Sequence, residues 1–179
     1  MPGQIKPELL SPAGSMDALW AAINNGADAV YLGASSFSAR STAGFDSDKL
    51  KEAVRVAHFF QKRVYITMNT LIKEREFESF LLVLEDVVSS GADAILVQDL
   101  GALRLIKEKH PHVPVHASTQ MTIHHLTGAK YAAHMGIDRV VFARETPLSV
   151  LKSTAATGIE VQAFVHGALC VSVSGQCTL

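Results

Sequence analysis

Two cysteines in 179 residues are too few for the dense disulfide framework of a small secreted domain. Met1-Pro2-Gly3-Gln4-Ile5-Lys6 offers no apolar core of a signal peptide, so a reducing, cytoplasmic setting is expected, where thiols bind metal or do redox work. The net charge is −1, without the basic excess that marks a dedicated nucleic-acid binder. No apolar run approaches the ~20 residues of a membrane helix, and no membrane partner is expected. The chain also lacks a G-x-S-x-G elbow, an H-E-x-x-H helix and a Walker loop, which removes the common hydrolase and nucleotide machineries. No G-x-G-x-x-G follows the first apolar run, and this counts against a dinucleotide fold.

What remains is apolar and regularly spaced. Hydrophobic residues make up 48% of the chain and the mean hydropathy is +0.21, ample for one core in a single α/β domain spanning 1–179. Short β-branched runs alternate with helical patterns throughout. Strands are predicted at Glu8 to Ser11, Ala29 to Leu32, Arg63 to Met68, Ala94 to Val97, Val115 to Ser118, Arg139 to Ala143 and Val161 to Val165. Between them, Ser15 can cap a helix with Met16, Leu19, Trp20 and Ile23 on one face, and Ser47 can cap another through Phe60. Phe77, Phe80, Leu81, Leu84, Val87 and Val88 form a clear stripe, and the following helix runs to about Lys109. Thr146-Pro147 opens the last helix and Gly158 closes it.

A weak repeat supports this division. Gly26-Ala-Asp-Ala-Val, Gly91-Ala-Asp-Ala-Ile and Gly136-Ile-Asp-Arg-Val each fall where a helix stops and a strand begins. Near-continuous apolar strands alternating with helices imply a parallel sheet covered by helices. Seven such strands predict the N-terminal portion of a (β/α)8 barrel of the TIM type, incomplete at the C-terminus. A doubly wound open sheet is the runner-up. An unclosed barrel leaves sheet edges, and self-association through them is expected.

Barrels of this kind carry chemistry at the C-terminal ends of their strands. The residues there are polar: Ser11, Arg40, Asn69, Gln98, Asp99, His116, Ser118, Gln120, Arg144, Glu145 and His166. Each has a plainer reading beside the functional one. Asp99 is equally a helix cap, and Arg144-Glu145 can be structural charges. Arg40 is either a solvated loop cation or a holder of an anionic group. His124 and His125, early in the next helix, read as exposed side chains. The small polar run after His116 hydrogen-bonds better than it packs, which favours a ligand-facing turn.

The most distinctive stretch is Phe164-Val165-His166-Gly167-Ala168-Leu169-Cys170, followed by Val171-Ser172-Val173-Ser174-Gly175-Gln176-Cys177. An apolar strand leads into a Gly- and Ser-rich turn that holds both thiols, and its glycines favour a tightly turned backbone over a packed one. Two buried small hydrophobes, a metal site and a thiol site all remain open on spacing alone. As a peptidase nucleophile, Cys170 would need His166 as its base, four residues away, and no third orienting group is evident.

The pattern Phe-x-x-Gly-Ala-Leu-Cys-x-x-x-x-Gly-x-Cys resembles the motif of the peptidase U32 family, the collagenase-like proteases. So do Glu8-Leu-Leu-Ser-Pro-Ala-Gly14, Gly26-Ala-Asp-Ala-Val-Tyr31, His116-Ala-Ser-Thr-Gln120 and Ala143-Arg-Glu145. The chain departs where the family has Glu two residues before the Phe, since Gln162 stands there, and the motif's last Ser falls beyond Leu179. The motif thus begins near residue 162 and is cut at 179.

The resemblance implies a 4Fe-4S cluster with Cys170 and Cys177 as two of its four ligands and the other two downstream. It also implies an oxygen-independent hydroxylase acting on a pyrimidine of ribosomal or transfer RNA, with prephenate as a candidate hydroxyl donor. The nearest branch is the one that forms 5-hydroxycytidine in 23S ribosomal RNA. Arg40, Asn69, His116, Gln120, Arg144, Glu145 and His166 are the expected catalytic residues. The family's name carries the alternative, a collagenase-like peptidase acting on protein. With two thiolates for a four-thiolate cluster, the 179 residues alone are expected to be inactive and to leave Cys170 to Leu179 without a hold inside the chain.

Overall fold

The computed structural model describes residues 6–39, 44–167 and 169–176. Two compact units divide the chain, Met1–Thr67 with Arg75–Asp93 and Met68–Glu74 with Ala94–Leu179. Strand order follows chain order from β1 to β7, and the described neighbour pairs are parallel. This is the α/β architecture of a TIM-type barrel, with seven of its strands.

The first unit holds β1 (Leu10–Pro12), α1 (Met16–Asn24), β2 (Ala29–Gly33), α2 (Ser47–Phe59), β3 (Arg63–Met68) up to Thr67, and α3 (Phe77–Ser89). Val64 through Met68 of β3 are all buried, as expected of a strand covered on both faces. Leu19 of α1, Leu50 and Val54 of α2, and Phe80 and Leu84 of α3 are buried with them. Phe80 meets Phe37 and Phe77 edge to face, with centroids 5.5 and 6.5 Å away. Trp20 departs from the predicted buried face of α1. It is 39% exposed and packs edge-on against Phe60 at 5.6 Å. Ser15 caps α1 as predicted, but α2 is capped by Asp46 rather than Ser47. The Asp46 carboxylate accepts the Lys49 N–H at 2.9 Å, so the helix begins at the residue expected to cap it.

The second unit contains β4 (Ala94–Val97), α4 (Leu100–Lys109), β5 (Val115–Ala117), α5 (Leu126–His134), β6 (Arg139–Val141), α6 (Leu148–Ala155) and β7 (Glu160–Gln162). Asp99 caps α4, taking the Ala102 N–H at 3.0 Å, and its other oxygen lies 3.3 Å from the Ile72 amide. The structure therefore sides with the cap for Asp99. His125 lies just outside α5 and caps it through Nδ1, 2.9 Å from the Gly128 amide. Strand β7 is shorter than predicted. After Gln162 the backbone leaves the sheet, and Val165 is 91% exposed.

The Gly-x-Asp repeat has a physical basis. Gly26, Gly91 and Gly136 have φ of +86°, +81° and +95°, a region that strains other residues. Two residues on, each Asp clasps the start of the preceding strand twice. Its carboxylate accepts the N–H of Leu9, Val64 or Val115 at 2.9, 2.7 and 2.8 Å. Its own N–H donates back to the carbonyl of the same residue at 2.8 Å in all three cases. A fourth version at Gly158-Ile159-Glu160 differs by one methylene, and there the longer carboxylate reaches the Arg139 guanidinium at 2.8 Å. Asp93→Ala removes the acceptor of a part-buried amide and is expected to cost about 1–3 kcal/mol, read as a fall in the urea midpoint. An unchanged midpoint would show that the clasp contributes nothing.

Candidate functional site

The candidate site is built from the second unit, on the segments that follow β5, β6 and β7, with Asn69 from just after β3. Strand β5 ends in two buried polar residues, His116 and Ser118, each 4% exposed. Ser118 Oγ receives the Asn69 side-chain amide at 3.2 Å and caps the single 3₁₀ turn Thr119–Met121. The small polar residues after His116 thus form a hydrogen-bonded turn, as their composition suggested. The Gln120 side-chain carbonyl is buried without a hydrogen-bond partner among the described residues.

Beyond β6, Arg144 and Glu145 act on the cysteine segment in different ways. The Arg144 guanidinium sits 4.0 Å over the Phe164 ring, and its Nη1 donates to Cys170 Sγ at 3.5 Å. The flat cation is thereby held between an aromatic face and a sulfur. Glu145 accepts the Ser174 N–H at 2.7 Å, while the Arg144 N–H donates to Ser174 Oγ at 3.2 Å. Ser174 is 3% exposed. Hydrogen bonds from the Ser174 hydroxyl and then its N–H hold the Glu145 carboxyl well down, from an ordinary 4.5 to about 2.

That shift fixes the sign of a pH effect. A depressed carboxyl contributes its stabilisation above the ordinary value and loses it as pH falls from about 4.5 toward 2. The thermal midpoints of the wild type and Glu145→Gln should therefore differ by a constant amount above about pH 5 and converge below about pH 4. A gap that widens on acidification would contradict the clasp.

Two expected residues, Arg40 and Cys177, lie outside the described residues. Ser11 belongs to the first unit. His166 is exposed, and Cys170 is a half-buried free thiol whose hydrogen-bond partner is the Arg144 guanidinium rather than an imidazole. Among the described residues no three His, Cys, Asp or Glu side chains gather as a metal site. As a donor set, Cys170 is a soft ligand suited to iron and sulfide, and it is part of what such a cluster needs.

Sequence reasoning missed Ser174, Gln176 and Thr122, which carry the docking of the cysteine segment. Gln176 donates from its amide to Thr122 Oγ1 at 2.7 Å and to the Gln120 carbonyl at 3.3 Å. The segment up to Gln176 is consequently held within the chain, which corrects the expectation that it lacks a hold. The only signal in the sequence was Gly175 between two polar residues. Nothing marked Thr122, which takes a left-handed φ of 58°.

The chain matches the sequence profile of Peptidase family U32 over residues 14–179. It belongs to that family. The 23S rRNA 5-hydroxycytidine C2501 synthase of Escherichia coli K12 is 39% identical over 171 residues, covering 95% of this chain and 26% of that protein. The tRNA hydroxylation protein P of the same organism is 35% identical over 177 residues, covering 97% of this chain and 39% of that protein. The U32 chain thus spans about a quarter to two fifths of these relatives. Among solved structures, the U32 peptidase Mk0906 superposes with a TM-score of 0.71 over 91% of this chain and 72% of that one. At 12% identity that likeness is one of fold. With the strand order, it supports the barrel reading over the open doubly wound sheet.

Proposed function

We propose that this chain is part of an iron-sulfur, oxygen-independent hydroxylase acting on a pyrimidine base in ribosomal or transfer RNA. The observation that carries the reading is the identity to two RNA-modifying relatives across nearly the whole chain. The arrangement around the cysteine turn supports it. Cys170, together with Cys177, would supply two thiolates to a 4Fe-4S cluster, whose part is to carry electrons. The other two ligands would lie outside these 179 residues.

Around that turn, each side chain has a task that chemistry can state. Arg144, fixed over Phe164, keeps a permanent positive charge beside the sulfur and would offset the charge of a cluster-bound thiolate. Glu145 is ionised at neutral pH and serves as an anchor for the turn, so it is a poor reservoir for a catalytic proton. Asn69 and Ser118 are paired, and Gln120 has a carbonyl oxygen to spare for an amino or imino donor on a base. Prephenate, the candidate hydroxyl donor, is a dianion and would need a cation to hold it.

The peptidase alternative would make Cys170 a nucleophile, which needs a base within hydrogen-bond reach. The Cys170 sulfur takes its hydrogen bond from the Arg144 guanidinium, a cation that cannot serve as that base. Anaerobic purification of the whole protein separates the two readings. The hydroxylase predicts bound iron and sulfide, a visible absorption band and no hydrolysis of gelatin. Colourless protein that cleaves gelatin in a Cys170-dependent way would reverse the assignment.

A further inference from the structure

We infer that Ser174, Gly175 and Gln176 are positioning residues, a strap that fixes the turn between the two cysteines onto the loops after β5 and β6. The inference rests on the cysteines being ligands, and its geometry stands without any metal.

The strap first closes on itself. Gln176 N–H donates to the Val173 carbonyl at 3.0 Å, and Ser172 Oγ donates to the Gln176 carbonyl at 2.7 Å. The closed turn is then pinned at three places. Ser174 exchanges hydrogen bonds with the Arg144 backbone and the Glu145 carboxylate. Gln176 reaches the Thr122 hydroxyl and the Gln120 carbonyl. Between them Gly175, at φ +89°, lies so close to the other loop that a Cβ would collide with the Thr119 carbonyl oxygen and approach Gln120 Cα to 2.7 Å. Both the backbone conformation and the space demand glycine here.

Cys170 lies four residues before Ser174, and Cys177 follows Gln176 directly. A segment free to move would bring two ligands together only transiently, and every such ordering costs conformational entropy. A turn docked at three points has met that cost beforehand, as preorganised ligand sites require. Leu169, Val171 and Val173 leave much of their apolar side chains exposed and give this docking little apolar burial. Polar contacts and one close backbone approach do.

The test uses Gly175→Ala, Gln176→Ala and, as the conservative control, Ser174→Thr beside Ser174→Ala. In the reduced, metal-free chain, hydrogen exchange over residues 170–176 and alkylation of Cys170 at fixed pH are measured together with the thermal midpoint. Gly175→Ala and Gln176→Ala should accelerate both by about tenfold, the weight of roughly one good hydrogen bond, with exchange in β4 and α4 unchanged. Ser174→Thr should keep the wild-type rates and Ser174→Ala should not. Should Gly175→Ala fail to fold, Gln176→Ala, an exposed side-chain truncation, decides the matter. Wild-type rates in Gln176→Ala, or a segment as unprotected in the wild type as in the variants, would overturn the strap. The same variants in the whole protein should lower iron and sulfide per chain. A wild-type whole protein without iron overturns the cluster reading, and the exchange rates then judge the strap by themselves.

Discussion

Cys170→Ala in the anaerobically purified whole protein is expected to remove iron and sulfide by far more than about tenfold, since disturbing even an outer-shell partner of a metal ligand commonly costs that much. The fold should survive the change. Cys170 is half-buried on a turn and is not among the buried core residues. The loss should therefore be specific, with an unchanged circular dichroism spectrum and a thermal midpoint close to the wild type. The Arg144 guanidinium would lose its sulfur acceptor but keep its seat on Phe164, so the loop after β6 should stay in place. A variant that retains full iron would show that Cys170 is no ligand. It would return the thiol to the role of a small hydrophobe.

The second large effect lies in the core of the first unit. Phe80→Ala is expected to destabilise by about 3–5 kcal/mol, the usual cost of emptying an aromatic site in a packed interior. Phe80 is fully buried, and its ring is the one that both Phe37 and Phe77 address edge to face. Phe37 comes from the segment after β2 and Phe77 from the same helix, and packed neighbours of this kind relax only partly into the vacated space. Phe80→Leu keeps most of the volume and should cost less. Urea denaturation of the two variants beside the wild type measures the difference. A cost below about 1 kcal/mol for the alanine variant would contradict the packing described, because surface substitutions already reach ~0.5 kcal/mol.

Much of this architecture was legible in the sequence because it rests on local patterns. Strands β3 and β4 and the end of α4 fall where the apolar runs and their stops predicted. The stripe Phe80, Leu84 and Val87 is the buried face of α3. At the start of α2 the sequence pointed to Ser47 as the cap, and the structure uses its neighbour Asp46, an equally good capping residue. The His125 cap was hidden because imidazole is not among the preferred capping groups. The glycines of the repeat were visible as stops. What their aspartates do was not, since each carboxylate binds a strand 19 to 29 residues earlier in the chain.

The site divides in the same way. Arg144, Glu145 and Cys170 were selected by residue type and position, and the structure brings them to one segment. The partners that hold the segment, Ser174 and Gln176, are ordinary polar residues in the sequence. They acquire a role only through contacts with Glu145, Thr122 and Gln120, 29 to 56 residues away. Asp99 shows the reverse case, a residue with a plausible site position whose two oxygens are taken by a helix N-terminus and a loop amide.

A base hydroxylation in RNA is read directly by nucleoside mass spectrometry. Ribosomal and transfer RNA from cells lacking the gene are digested separately and compared with RNA from the parent strain and from strains complemented with the wild type or with Cys170→Ala. One hydroxylated pyrimidine should disappear from one of the two RNA pools, return with the wild-type gene and stay absent with Cys170→Ala. An unchanged set of hydroxylated pyrimidines in both pools of the deletion strain would contradict the hydroxylase reading.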